Sequence, residues 1–274
     1  MGSSGRAARA GLLTLAFCTL TVVTGGALAV ASLPGYEVTV AAQPVVALLV
    51  WRFVGRRPLR ELLGSAGSLG WALLAYIMAT AIYLGAVAIM SLAGATSREP
   101  SSGVWVGLLL AVLVGGLFTA IPEEITYRGA LLRGLTSAWG LGAAVTVTTV
   151  LFTLAHLPRI LAEGGGFDGF YLAGLMLFAA SMAVLTIAAR SIWPAIGWHF
   201  GGNAVLITVS DGLGLRPDGP AWLTGTTWSD GPLGLSTSVV AAAAALGLAA
   251  WIASRRGRRP DLTQQAALDP LPAP

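Results

Sequence analysis

The stretch IPEEITYRGALLRG, residues 121–134, places two adjacent carboxylates and two arginines directly after almost twenty apolar, uncharged residues. No loop-like stretch surrounds these charges. Ionisable groups are costly inside a bilayer, so a functional role is the first hypothesis for charges that follow such an apolar run. The interpretation of this protein therefore depends on where this stretch lies in the fold.

The composition indicates a membrane protein. The chain has 274 residues, of which 55% are hydrophobic and only 10% are charged, whereas soluble domains carry about 25% charged residues. Long apolar runs predict spanning helices and not the short alternating strands of a β-barrel. All sixteen basic residues are arginine and cluster at the ends of the runs. Such a pattern is typical of membrane topology, so the net charge of +4 does not indicate a nucleic-acid partner.

The apolar runs predict an all-α polytopic membrane protein with about eight transmembrane helices, because each run is near the ~20 residues that cross ~30 Å of hydrocarbon. We expect a single transmembrane domain over residues 1–259, with a motif-bearing core at about 103–210. The Pro-rich, polar segment 260–274 is predicted to be disordered. The runs fall at 10–33, 38–54, 69–93, 103–121, 138–158, 170–189, 192–210 and 233–254.

The arginines also predict an orientation. Alternation through eight spans puts thirteen arginines on one side and only Arg98, Arg159 and Arg216 on the other. The positive-inside rule then predicts a multi-pass plasma-membrane protein with both termini in the cytoplasm. The first run follows Arg6 and Arg9 and contains ALAVAS, which resembles a signal-peptide cleavage site. Because this run is longer than the ~7–15 residues of a signal core, a retained helix is favoured.

Rare polar residues in the apolar runs are the candidate site. The chain contains two histidines, His156 and His199, and a single asparagine, Asn203. Each could instead form a structural hydrogen bond between helices. Their spacing favours function, because His199 and Asn203 are four residues apart and share one face of a helix. Glu124 and Arg128 have the same spacing and suit a helical ion pair, which leaves Glu123 without an obvious local partner.

Simple arithmetic predicts that Glu123 and His156 lie level in a helical hairpin. The midpoint between them falls in SAWG, residues 137–140, the best turn candidate. If the fourth helix continues to about Thr136, both residues lie ~25 Å from the tip. If the tip of this hairpin projects ~10 Å into the cytoplasm, Glu123 and His156 lie at the same depth in the membrane as His199 and Asn203. The fifth helix would then continue past Pro158.

A cluster of these residues supports several chemistries. A carboxylate beside a neutral histidine can deprotonate a water, and an amide with a second imidazole can stabilise an oxyanion, each donor being worth ~3–4 kcal/mol. That set allows peptide hydrolysis without a serine or cysteine nucleophile. Glu123, His156 and His199 could alternatively be zinc ligands with an open fourth position, although H-E-x-x-H is absent. The same groups could also form the proton relay of a proton-coupled transporter, or belong to a catalytically idle scaffold.

Three motifs in order resemble those of one family. EEITYR, residues 123–128, resembles an E-E-x-x-x-R motif, FTLAH, residues 152–156, resembles F-x-x-x-H, and HFGGN, residues 199–203, resembles H-x-x-x-N. The family is that of the intramembrane proteases grouped as type II CAAX prenyl endopeptidases and bacteriocin-processing enzymes, also called CPBP or Abi. The Ala- and Gly-rich, all-arginine composition indicates a GC-rich bacterial genome.

The resemblance implies an eight-helix fold with a polar catalytic cavity open to the cytoplasm. It implies that Glu123 is the general base, that His156 helps to position the water, and that His199 and Asn203 form the oxyanion hole. It also implies supporting roles for three further motif residues: Glu124, Arg128 and Phe152. Members are often labelled metalloproteases, although the glutamate mechanism needs no metal. We therefore expect no cofactor, with zinc as the alternative, and a membrane-associated peptide or lipidated-protein substrate.

Overall fold

The computed structural model describes residues 3–31, 36–64, 68–93, 109, 112–158, 169–208 and 231–257. Within these residues the secondary structure is helical and contains no strand, so the all-α prediction is confirmed. Within the described residues, eight long helices correspond to the eight apolar runs. One four-residue helix lies between the second and the third of them. The helices are α1 (Ser3–Val30), α2 (Tyr36–Leu49, continued by π-helical Val50–Val54), α3 (Arg60–Leu63), α4 (Leu69–Leu92), α5 (112–139), α6 (Leu141–Ala155), α7 (Gly169–Ala189), α8 (Trp193–Ile207) and α9 (Gly231–Gly257).

Four of these helices, α1, α4, α7 and α9, are long and apolar enough to cross a membrane. The C-terminal part of α2 and the whole of α6 form shorter apolar helices. Large apolar side chains such as Leu20 and Leu92 are exposed on the outside of the bundle, as expected where lipid is the solvent. The polytopic prediction is thus confirmed.

Helix α1 begins at Ser3, seven residues before the first apolar run, and therefore includes Arg6 and Arg9. Alanine and arginine are strong helix formers, so the segment RAARA extends the helix beyond its apolar part. The predicted tail at 260–274 and the predicted continuation of the fifth helix past Pro158 lie outside the described residues.

The predicted hairpin of the fourth and fifth apolar runs is confirmed as α5 and α6. Helix α5 runs through the acidic motif to Trp139, three residues beyond Thr136, and α6 begins at Leu141. Gly140 joins them with φ +83°, a conformation that favours glycine. The rings of Tyr127 and Phe152 lie 5.1 Å apart across the hairpin. The midpoint of that pair falls between residues 139 and 140, as does the midpoint of Glu123 and His156.

Two glycines bring α8 against α4. A Cβ atom on Gly197 would collide with the Ala72 carbonyl, and one on Gly201 would lie 2.6 Å from the Tyr76 carbonyl oxygen. This is the close approach that a small-xxx-small pair allows. Helix α8 carries His199 and Asn203, so this packing sets the position of half the candidate site.

The candidate site lies between two apolar clusters. One cluster joins α4, α7, α8 and α9 around Met182, Leu185 and Trp198. The other joins α1, α5, α6 and α7 around Leu131 and Phe152. Helix α7 contributes to both clusters and therefore connects α8 to the α5–α6 hairpin. Trp198, next to His199, is part of the core.

Candidate active site

Glu124 and Arg128 form the buried ion pair that their spacing predicted. Arg128 Nη1 donates to Glu124 Oε1 at 3.0 Å, and both side chains are at most 1% exposed. Arg128 Nη2 also donates to the Ala179 carbonyl on α7 at 3.0 Å. The guanidinium lies 4.6 Å from the centre of the Phe152 ring. A charge this deep is tolerated because a carboxylate, a carbonyl and an aromatic face surround it.

His199 is hydrogen-bonded to Glu124, a contact that the sequence did not predict. Its Nδ1 lies 2.9 Å from Glu124 Oε1, the same oxygen that accepts from Arg128. Because a carboxylate only accepts, Nδ1 carries the hydrogen, and this assignment follows from the hydrogen-bond geometry. Glu124 therefore fixes the orientation of the His199 ring and turns Nε2 towards Glu123. Nε2 lies 3.8 Å from Oε2 of Glu123.

Glu123 has the free carboxylate that the sequence predicted. Its side chain is 19% exposed, and Oε2 is buried without a hydrogen-bond partner among the described protein atoms. Tyr127, one turn further on, donates its hydroxyl to Gln43 at 3.0 Å and not to Glu123. An acceptor oxygen beside an imidazole nitrogen is thus available to a water or to a substrate group.

The local helix geometry separates the two glutamates. Pro122 lies inside the α-helical segment Phe118–Glu124, and the helix is π-helical from Ile125 to Leu131. A proline removes one backbone donor and crowds the preceding turn, and π-helical turns are frequent at functional sites. Adjacent residues of a helix point about 100° apart, so Glu124 points into the core at 0% exposure while Glu123 stays partly accessible.

His156 lies at the end of α6, where it caps the helix. Its Nδ1 is 2.8 Å from the Phe152 carbonyl oxygen. A carbonyl accepts, so Nδ1 is again the donor and Nε2 is left for other contacts. No hydrogen bond or ion pair joins His156 to Glu123 within the described part of the chain. The two residues share a level in the hairpin without direct contact.

The Phe152 ring lies between the two histidines. It is 4.7 Å from the His156 ring and 6.3 Å from the His199 ring, measured between centroids. Phe178, on α7, contacts His199 edge-on at 4.9 Å. These aromatic contacts restrict the orientation of both imidazoles. Asn203 lies one turn beyond His199 on α8 and is partly exposed.

Sequence reasoning missed the contributions of α7 and α2. Phe178 and the Ala179 carbonyl have no spacing relation to any motif, because their partners lie 20 or more residues away. Gln43 was recognisable in principle, since it is the only glutamine in any of the apolar runs. It connects helices by donating to Thr21 Oγ1 at 2.7 Å and accepting from Tyr127.

The zinc alternative requires Glu123, His156 and His199 to converge on one point. Among the described residues no group of three His, Cys, Asp or Glu side chains is arranged to hold a metal ion. The Nδ1 atoms of both histidines are occupied by the Phe152 carbonyl and by Glu124. Metal-bound histidines usually have their other ring N–H held in this way, so these bonds leave both Nε2 atoms available and do not exclude zinc. No reaction step is derived through a metal.

Comparison with known proteins agrees with the motif assignment. Residues 105–205 match the family model described as "Type II CAAX prenyl endopeptidase Rce1-like". This match confirms the resemblance, and the matched segment contains all three motifs. No curated protein and no solved structure matches the chain. In general terms, the match supports a CAAX-type intramembrane protease that acts on a membrane-associated peptide.

Proposed function

We propose that this protein is an intramembrane endopeptidase in which Glu123 activates a water molecule that attacks a peptide bond. The observation that carries the proposal is the contrast between the two glutamates. Glu124 is bonded to Arg128 and His199, whereas Glu123 Oε2 has no partner among the described protein atoms and lies 3.8 Å from His199 Nε2. One carboxylate organises the site and the other is free to accept a proton.

His156 would hold the attacking water from the side opposite α8. Its Nδ1–H is bonded to the Phe152 carbonyl, so the neutral ring presents Nε2 as an acceptor. A water between Glu123 and His156 could donate one hydrogen to each and turn an oxygen lone pair to the substrate carbonyl carbon. General base catalysis of this type contributes about 10²–10⁴-fold to a rate.

His199 and Asn203 would stabilise the oxyanion that forms on the substrate carbonyl. The Nδ1–H of His199 is directed to Glu124, so the oxyanion role requires a hydrogen on Nε2 and therefore the imidazolium form. The two neighbouring carboxylates, Glu123 and Glu124, carry two negative charges, which balance the positive charges of the imidazolium and of the Arg128 guanidinium. The tetrahedral intermediate collapses when the leaving amine takes the proton from Glu123.

The substrate would be a peptide in or at the membrane, including lipidated proteins and peptide precursors. The arginine distribution favours a plasma-membrane location with both termini in the cytoplasm, and no nucleic acid is involved. We expect cleavage within the cytoplasmic half of the bilayer, because Glu123 lies ten residues before Arg133. Ten residues correspond to about 15 Å of helix, or half of the ~30 Å of hydrocarbon.

The test is proteolysis by the purified full-length protein in lipid nanodiscs with a proteome-derived peptide set. Glu123→Gln and Glu123→Ala should each lower kcat by about 10²–10⁴-fold, because the general base is lost. Thr146→Val is the matched control, since Thr146 is exposed on α6 and bonds only within its helix. Cleavage that survives Glu123→Ala contradicts the base assignment.

A chelator arm separates the metal-free mechanism from the zinc alternative. We expect unchanged cleavage after chelation. Loss of activity with rescue by added zinc would instead support the metal-dependent form of the same protease.

A further inference from the structure

A cavity lined by arginines lies away from the candidate active site. It has a volume of about 270 Å³ and is enclosed by α1, the π-helical end of α2, α3, α5, the start of α6 and α7. None of Glu123, His156, His199 or Asn203 lines it. Three arginines, Arg57, Arg133 and Arg190, line it together, so we call this part of the molecule the arginine-rich end.

The cavity carries excess positive charge. Its three guanidinium groups face a single lining carboxylate, Glu61, which pairs with Arg57 at 2.7 Å. Arg133 Nη2 donates only to the Arg190 backbone carbonyl, at 3.4 Å. Neither Arg133 nor Arg190 forms an ion pair within 4 Å among the described residues, and Glu61 is the one carboxylate of the cavity whose charge acts on Arg133. Two positive charges are therefore left for an external anion.

The same cavity collects hydrogen-bond donors that lack protein partners. Across the described residues, nine buried side-chain polar atoms have no partner. Four of them belong to side chains that line this cavity: Trp51 Nε1, Arg57 Nε, Arg133 Nε and Thr186 Oγ1. Trp51 and Thr186 are 1% and 3% exposed. Unpartnered buried donors are rare in folded proteins and are destabilising, so their concentration at one place indicates a bound acceptor.

The chemistry of these donors favours a phosphate group. Arginine forks match the geometry of phosphate oxygens and bind them with paired hydrogen bonds. Arginine side chains have many rotamers, so a small rotation turns their N–H groups towards a ligand. Leu132 and Leu141 supply an apolar part of the wall. A volume below the ~300–1,000 Å³ of drug-sized ligand sites suits a headgroup and not a larger ligand.

We propose that this cavity binds a phosphate-type oxyanion, presented by the headgroup of an anionic phospholipid from the surrounding bilayer. Basic pockets between transmembrane helices are suited to such headgroups. The bound phosphate would bridge α5 and α7 through Arg133 and Arg190 and would accept hydrogen bonds from Trp51 and Thr186. This site shares no residue with the proposed protease site, so lipid can bind there whether or not the protein is an active protease.

Lipid binding by the full-length protein in neutral detergent tests the proposal. The ligands are phosphatidylglycerol, phosphatidylcholine and inorganic phosphate, and the readouts are Kd and the ligand-induced rise in Tm. Phosphatidylglycerol should bind at least tenfold more tightly than phosphatidylcholine. Competition by inorganic phosphate at millimolar concentration would support the phosphate chemistry and identify free phosphate as a second source.

Substitutions then locate the site. Arg133→Gln and Arg190→Gln should each weaken phosphatidylglycerol binding by about ten- to a hundredfold, since each removes charge-assisted hydrogen bonds. Arg52→Gln is the charge-matched control, because Arg52 is exposed at the same end and does not line the cavity. Trp51→Phe keeps the charge and nearly the volume but removes one donor, so it should weaken binding less than either arginine change.

Two outcomes would overturn the proposal. One is equal affinity for phosphatidylglycerol and phosphatidylcholine. The other is an equal loss of binding in Arg52→Gln and Arg133→Gln, which would indicate non-specific attraction to positive charge. The lipid Kd and the ligand-induced rise in Tm can also be measured with the Glu123→Gln variant, which should lack protease activity. Failure of the lipid site and failure of the protease proposal are therefore distinguishable.

Discussion

Substitution of Glu124 by glutamine tests the organisation of the site most directly. Oε1 of Glu124 accepts from Arg128 at 3.0 Å and from His199 at 2.9 Å, while Oε2 is buried without a partner among the described protein atoms. A glutamine can place its amide oxygen at the first position and keep both contacts. It removes the negative charge and buries an amide NH₂ where the second oxygen was.

The stability change follows from those two hydrogen bonds. A bond to a charged group contributes ~1.5–3 kcal/mol and a neutral bond ~0.5–1.5 kcal/mol, so weakening two of them costs about 2–3 kcal/mol. A destabilisation of that size lowers Tm by roughly 5–10 °C in a chain of this length. The protein should therefore still fold, and its Tm in detergent can be compared with that of the wild type.

Activity should fall more than stability does. The imidazolium of His199 would lose the carboxylate that orients it and balances its charge. We expect a decrease in kcat of at least roughly a hundredfold, below the ~10⁴ found when the orienting carboxylate of a serine-protease triad is neutralised. The assay is single-turnover cleavage in nanodiscs at a temperature where both proteins are folded.

A double substitution distinguishes a positioning role from a general structural one. If Glu124 acts through His199, Glu124→Gln combined with His199→Ala should be no slower than His199→Ala alone, because both changes remove the same function. A kcat of Glu124→Gln within twofold of wild type would refute the reasoning. Strictly additive losses in the double variant would show that the two residues act separately.

Two further substitutions test the oxyanion assignment and the helix packing. If the Asn203 amide contacts only the oxyanion, Asn203→Ala should lower kcat by about 10²–10³-fold with little change in KM. A raised KM with unchanged kcat would indicate that Asn203 binds the substrate instead. Gly197→Ala should lower the free energy of unfolding by about 3 kcal/mol or more, the upper end of the usual cost of overpacking a core. The reason is that the added Cβ would collide with the Ala72 carbonyl. Gly247→Ala, which meets nothing within 4 Å, is the matched control and should stabilise α9 by about 0.5–1 kcal/mol. Similar Tm values for the two glycine variants would contradict the packing argument.

The amino-acid sequence was sufficient for every feature that depends on short spacing or on composition. The apolar runs predicted the eight long helices, and the i,i+4 spacing predicted the Glu124–Arg128 pair. The turn at Gly140 placed Glu123 level with His156. These predictions succeed because helix periodicity and the apolar length needed to cross a bilayer are local properties.

Contacts between distant helices could be read only from the folded bundle. Glu124 and His199 are 75 residues apart, so no spacing rule connects them, and their hydrogen bond depends on how closely α8 packs against α4. Phe178 and the Ala179 carbonyl enter the site because α7 contacts both apolar clusters. The arginine-lined cavity likewise combines side chains from six helices and from the segments that follow two of them. The sequence indicated candidate residues for chemistry, which stay a prediction. The packing of helices far apart in the chain brought Glu124 to His199 and left Glu123 Oε2 without a partner among the described protein atoms.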